Sequence, residues 1–507
     1  MPATRQDSAL LTSTGALDPS FRVAPVDRRL FGSFVEHMGR CVYGGIYAPG
    51  DPQSDVDGYR TDVAELVREL GITVVRYPGG NFVSGYRWED GVGPVAQRPR
   101  RLDLAWHSVE TNAFGLGEFV GWTQRTGVQP MLAVNLGTRG IEAACDLVEY
   151  ANHPGGTRLS DLRAAHGSAQ PYGVKLWCLG NEMDGPWQIG HKTADEYGRL
   201  AAEAARAMKL VDPGIELVAC GSSGRDMPTF GQWEETVLGH AFDEVDYLSL
   251  HAYYEEHDGD RGSFLASAHA MDAFIDAVIA TCDAVAARKR SRRKLKLSFD
   301  EWNVWYQSRF DGAADAEWAQ APRLIEDVYS TLDAVVVGNL LMSLLRHADR
   351  VAVACLAQLV NVIAPIRSEA GVPAWRQSTF HPFALTARYA VGEVLRVEPV
   401  TPVYQTDRHG EVPVLDVVAT RDPDSGAVSL FAVNRHQTEP VASTLDVRGL
   451  ALTAVVDHRY LGGALDLTNS AEAPQRVVPL EGTGARLDSG RLEVAFPPAS
   501  WTMLRLS

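Results

Sequence analysis

Val174-Lys-Leu-Trp-Cys-Leu-Gly-Asn-Glu182 is an apolar run that stops abruptly on polar residues, and a helical pattern opens soon after it at Thr193. Thr193 and Glu196 form a T-x-x-E capping box. Tyr197, Leu200, Ala201, Ala204 and Met208 then fall on one face, and Asp212-Pro213 ends the helix because proline cannot continue it. The same unit recurs to either side. Apolar runs lie at Leu30–Glu36, Thr73–Tyr77, Pro130–Leu136, Val174–Leu179, Glu216–Ala219, Tyr247–His251, Leu295–Phe299 and Val351–Leu356. Helical patterns follow near 59–70, 115–126, 138–151, 193–210, 232–240, 266–290, 316–346 and 377–391. Nearly continuous apolar runs fit parallel strands buried on both faces. Eight strand-helix units fill an α/β fold of the closed (β/α)8 TIM-barrel type, with a doubly wound open sheet as the runner-up.

After about residue 395 the period changes from helical to alternating. Val414–Thr420 and Ala427–Val433 flank Arg-Asp-Pro-Asp-Ser-Gly, a hairpin signal. Short strands continue at Val441–Val447, Thr453–Tyr460, Arg476–Leu480, Leu492–Phe496 and Trp501–Leu506. The predicted organisation is a catalytic barrel over 29–391 and a C-terminal all-β sandwich over 392–507. Residues 1–28 are expected to add a strand segment to the sandwich, with pairing of Phe21–Val23 to the first barrel strand as the alternative.

The chain has 507 residues, 45% hydrophobic and 22% charged, which excludes a disordered or fibrous protein. Its formal net charge of −17 disfavours phosphate backbones and anionic lipid, so neither nucleic acid nor a membrane is an expected partner. Six scattered cysteines without a C-x-x-C pair read as buried thiols of a reducing compartment. No secretory h-region follows the N-terminal Met-Pro-Ala-Thr, so a cytoplasmic location is expected.

In a barrel, chemistry sits at the C-terminal strand ends. Here these carry Glu36-His37, Arg76 to Asn81, Asn135, Asn181-Glu182, His251-Ala252-Tyr253, Asp300 to Asn303, and Gln358. Glu182 and Glu301 stand out, on strands four and seven. Glycoside hydrolysis needs two such carboxyls, one to protonate the leaving oxygen and one to attack or to activate water. Trp88, Trp106, Trp187, Trp302, Trp305 and Tyr306 lie at or after strand ends, where indoles could pack on sugar faces. No H-E-x-x-H, G-x-S-x-G, P-loop or dinucleotide fingerprint occurs. His251 and His257 show no acidic partners at metal-ligand spacing, so neither metal nor cofactor is expected.

Several of these segments together resemble glycoside hydrolase family 51, the α-L-arabinofuranosidases. They are Leu30-Phe-Gly-Ser-Phe-Val-Glu-His-Met-Gly39, Arg76-Tyr-Pro-Gly-Gly-Asn-Phe-Val-Ser-Gly85, Trp88-Glu-Asp-Gly-Val-Gly-Pro94, Gly180-Asn-Glu-Met-Asp-Gly-Pro-Trp187, His251-Ala-Tyr-Tyr254, Asp300-Glu-Trp-Asn-Val-Trp305 and Ala357-Gln-Leu-Val-Asn-Val-Ile-Ala-Pro365. The resemblance implies Glu182 as acid/base and Glu301 as nucleophile of a retaining double displacement. It implies sugar contacts from Glu36, Arg76, Asn81, Trp106, Asn181, His251, Tyr253, Trp305 and Gln358, with His251 as an orienter. Position 81 varies in that family between Cys and Asn, and here it is Asn81. The resemblance further implies an intracellular homo-oligomer, commonly a hexamer, that removes terminal arabinofuranosyl residues from arabinose-containing oligosaccharides. The competing readings are a related retaining glycosidase of other sugar specificity and a carbohydrate-binding barrel without catalysis. Retaining chemistry predicts carboxyls about 5–5.5 Å apart.

Overall fold

The structure is a computed structural model and describes residues 11–310, 312 and 318–507. Eight parallel strands close into a barrel, each paired with its neighbours in chain order. They are Gly32–Phe34, Val74–Tyr77, Gln129–Ala133, Leu176–Cys178, Glu216–Ala219, Tyr247–Tyr254, Lys296–Val304 and Val351–Leu356. Four are buried along their whole length and the others over most of theirs, which is why they read as apolar runs rather than as alternating ones. The first is shorter than its run, because Asp27 accepts a hydrogen bond from the Arg29 N–H and folds Arg28–Phe31 into a 3-10 turn.

The helix after strand four spans Ala194–Val211, with both bonds of its Thr193/Glu196 capping box formed. The helix expected over 316–346 spans only Thr331–Arg346. Ala316 and Glu317 lie outside the described residues, 318–330 contain no helix, and Pro322 interrupts that stretch. The new start is capped by Ser330 and Asp333. This helix is buried nearly all round, wedged between the barrel and the C-terminal sheet. Additions not foreseen include a helix at Arg158–Ala165 and hairpins of Arg101–Asp103 with Ser108–Glu110, Ile366–Glu369 with Val372–Arg376, and Val403–Thr406 with Gly410–Pro413.

The C-terminal strands form a four-stranded and a seven-stranded sheet. Val441–Asp446 and Arg491–Phe496 alternate between buried and open residues, as strands with one core face do. Of the strand expected at Arg476–Leu480, only Leu480–Glu481 pairs. Leu11–Ala16 joins the smaller sheet beside Val441–Asp446. Arg22–Pro25 pairs with Glu393–Leu395 and not with the first barrel strand. Asp416, which accepts from Arg346 and Arg435 and from Asn339, ties the wedged helix to the larger sheet. All six cysteines are free, five of them buried. Among the described residues no helix is long and apolar enough to cross a membrane.

Candidate active site

Strand seven is irregular where its chemistry lies. Between paired positions, Ser249–His251 of strand six oppose Ser298–Glu301, and Ala354–Leu356 of strand eight oppose Phe299–Trp302. The extra residue turns both Asp300 and Glu301 toward the same interior cluster, which regular alternation would forbid. Glu182 sits on the turn after strand four in left-handed backbone, with φ of 42°. Such a conformation is uncommon for a side chain of this size and persists only where neighbours hold it. Two do: His251 Nδ1 lies 3.0 Å from Glu182 Oε1, and the Trp187 indole N–H donates to Oε2 at 2.6 Å. Gly185 makes the second possible, since a Cβ there would fall 2.5 Å from the Trp187 ring.

Glu301 Oε1 accepts from Arg76 Nη1 at 2.8 Å, and Oε2 accepts from the Tyr253 hydroxyl at 2.8 Å. Arg76 Nη2 also donates to Asn181 Oδ1 at 2.6 Å. Glu182, His251 and Glu301 each bring one ligand-type atom within 4.8 Å of the others. The closest oxygens of the two carboxyls are therefore no more than 4.8 Å apart.

His251 also reaches Asp300, with Nε2 3.3 Å from Oδ1. The expectation that His251 lacks acidic partners is thus wrong: three carboxylates from two strands surround it, and sequence spacing does not reveal them. Burial opposes charge on His251, but Glu301, Asp300 and Glu182 outweigh it and raise its pKa to about 10. With both nitrogens protonated the imidazole donates to these carboxylates as an ion-pair partner. Burial pushes Asp300 up, yet Arg76 and His251 hold it below the usual carboxylate range. Burial raises the Glu301 carboxyl and the Glu182 charge adds to this, while His251, Arg76 and Tyr253 pull it back.

A cleft of about 1220 Å³ opens onto the two glutamates. Of the expected sugar contacts, Glu36, Asn81, Trp106, Tyr253, Trp305 and Gln358 line it. Arg76, Asn181 and His251 do not line it; they are buried behind and grip residues that do. Glu36 accepts from the Phe82 N–H at 2.9 Å, from Trp106 Nε1 at 2.8 Å and from Gln358 Nε2 at 3.2 Å. Burial pushes its carboxyl up to about 8. Gly79 lets this strand end approach: a Cβ there would meet Phe34 at 2.5 Å and Glu36 at 2.6 Å, and its φ is 105°. Trp187 lines the cleft as well, whereas Trp88, Trp302 and Tyr306 are core residues and leave the list of sugar-facing aromatics. Sequence reasoning missed the hydrogen bond of Trp187 to Glu182. It also missed Gln188, whose amide reaches Ser84 at 2.5 Å and Asn181 at 3.4 Å.

Residues 66–273 match the model of the α-L-arabinofuranosidase 1 domain, and 300–500 that of the α-L-arabinofuranosidase C-terminal domain. The chain is 59% identical over 498 residues to the intracellular exo-α-(1→5)-L-arabinofuranosidase of Streptomyces lividans, across 97% of this chain and 75% of that one. It is 51% identical to the protein of the same name from Acetivibrio thermocellus, across 97% and 98%. A solved family 51 α-L-arabinofuranosidase from Bifidobacterium longum superposes with a TM-score of 0.95 at 46% identity, over 98% of this chain and all of that one. The chain belongs to the family 51 α-L-arabinofuranosidases. The barrel and the sandwich are therefore this family's architecture, arrived at from the residues upward.

The charge on His251 has a consequence for family 51 as built here. A histidine with a raised folded pKa adds stability that is present in full below the usual imidazole range and is lost as pH rises through about 10. Glu36 acts in the same direction only up to about 8, since below that the folded state keeps a proton the unfolded chain has lost, and it adds nothing to the slope above it. Denaturant midpoints should fall from pH 7 to pH 10, and His251→Gln should flatten that slope. An equal slope in the variant would place the pH dependence elsewhere.

Proposed function

We propose that this protein is a retaining exo-α-L-arabinofuranosidase that acts inside the cell on arabinose-containing oligosaccharides. The observation that carries this is the close, buried Glu182/Glu301 pair with unlike surroundings, in a chain of family 51. Glu301, aimed by Arg76 and Tyr253, attacks the anomeric carbon while the bond to the leaving oxygen breaks. Glu182 gives its proton to that oxygen. Glu182, now a carboxylate, takes a proton from water, whose oxygen displaces Glu301 and restores the starting configuration. His251 and Trp187 hold the two oxygens of Glu182 in place through both steps. The test is hydrolysis of 4-nitrophenyl α-L-arabinofuranoside beside a panel of other aryl glycosides, with the first-formed anomer read by NMR. Cleavage of the arabinofuranoside with retention is expected. An inverted product, or activity confined to other sugars, overturns the reading.

In this reading Asn181 presents its amide to the sugar 2-hydroxyl, a contact that strengthens as positive charge develops at the anomeric carbon. Arg76 fixes its orientation by occupying Oδ1 and turning the NH2 side toward Asn81, which lines the cleft. Asn181→Ala should lower kcat by about 10- to 100-fold with little change in KM. A change in KM alone would mean that only ground-state binding was removed.

A further inference from the structure

The cleft is larger than its catalytic end requires. At liquid water's ~30 Å³ per non-hydrogen atom, a pentofuranosyl ring of about ten such atoms fills roughly 300 Å³, against about 1220 Å³ available. The same cleft is also lined by residues away in sequence from the paired glutamates. They include the half-buried Tyr254, and Phe264 and Phe274, each 2% exposed. Charges of both signs line it too, among them Arg225, Asp226 and Glu255. Arg408 and His409 complete it, and these come from the C-terminal domain.

They sit at the tip of the hairpin Val403–Thr406/Gly410–Pro413. The tip is fixed before any ligand arrives. The Thr406 hydroxyl donates to the Gly410 carbonyl at 2.9 Å and accepts from the His409 N–H at 2.9 Å. The hairpin is also docked on the barrel: Tyr404 donates to the Gly262 carbonyl at 2.9 Å, and the Arg408 N–H donates to the Ser263 hydroxyl at 3.3 Å. The Tyr254 ring, with Arg408, His409 and other hydrogen-bonding groups in the same cleft, suits the apolar face and polar edge of a sugar ring. Lining charges of mixed sign give no advantage to an acidic ligand.

We infer that the part of the cleft lined by the hairpin binds the distal sugar units of a neutral oligosaccharide leaving group, with Arg408 and His409 as specificity-determining residues. The inference rests on the arabinofuranosidase reading and assigns the sandwich a part in substrate selection. The experiment compares kcat/KM for the aryl arabinofuranoside and for arabinofuranosyl-terminated di-, tri- and tetrasaccharides, in the wild type, in Arg408→Gln and in the double variant R408A/H409A. The wild type should gain roughly tenfold or more from disaccharide to trisaccharide or tetrasaccharide, about one good contact's worth. In the variants that ratio should fall toward one. A flat wild-type series, or variants that keep the full gain, overturns the inference. So does preference for a trisaccharide bearing a distal uronic acid over its neutral counterpart. The wild-type series is informative even if the double variant fails to fold. A wild type that cleaves no aryl arabinofuranoside would instead mark failure of the underlying functional reading.

Discussion

Glu301→Ala is expected to abolish turnover, with kcat falling by roughly 10⁴-fold or more, the scale on which loss of a covalent nucleophile acts. No glycosyl-enzyme can form without its carboxylate. Azide should then occupy the vacated space and give a glycosyl azide of inverted configuration from an activated donor. Glu182→Ala should behave differently. An aryl glycoside with a good leaving group needs little proton assistance, so Glu301 still becomes glycosylated. The second half slows because no base takes the proton from water, a loss of about 10²–10⁴-fold. Azide needs no such base and should rescue turnover with a product of retained configuration. The retained azide from Glu301→Ala and the inverted one from Glu182→Ala would exchange the two roles.

Arg76→Met should cost both stability and activity. The guanidinium is 1% exposed and lies 2.8 Å from Glu301, 3.5 Å from Asp300 and 2.6 Å from Asn181. Methionine keeps much of the volume and the packing on Phe34 but removes the charge. Two buried carboxylates would then share only His251. Breaking a buried pair in this way costs about 3–5 kcal/mol, because the remaining charge is left without compensation. The carboxyls can escape by taking up protons, and a protonated Glu301 does not attack. Arg76→Met should therefore lose at least about 10²-fold in kcat/KM near neutral pH and recover part of it as pH rises. Denaturant unfolding and a pH–rate profile read the two effects separately. A variant within about 1 kcal/mol of the wild type, with an unmoved profile, would show that Arg76 neither stabilises nor tunes this cluster.

Glu182 and Glu301 were legible as candidates because each ends a buried apolar strand, and the strand order of a closed barrel then brings the fourth and seventh near one another. Glu36 and Gln358, also at strand ends, were found by the same logic and meet over Glu36 Oε2. That logic depends only on local patterns: apolar runs, helical period, capping boxes and turn residues report on contacts within a few residues. It failed where such a pattern has two possible fates. Trp88 and Trp302 look like Trp106 and Trp305 in the sequence, but the first two pack inward and the others face the cleft. The helix expected from 316 starts at Thr331, because Pro322 interrupts the helical pattern and the capping side chains are Ser330 and Asp333.

The barrel, the sandwich and the positions of the two glutamates follow from the order of residues along the chain, since buried strands and amphipathic helices are specified by near neighbours. The protonated His251 amid three carboxylates, the indole of Trp187 on Glu182, and the C-terminal hairpin in the wall of the cleft do not. The first needs the extra residue in strand seven, the second needs the chain to fold back over Gly185, and the third joins groups about 140 residues apart through Tyr404 and Gly262. Electrostatic fields and close packing depend on distance in space, and for these groups only the closed barrel with its docked sandwich sets that distance.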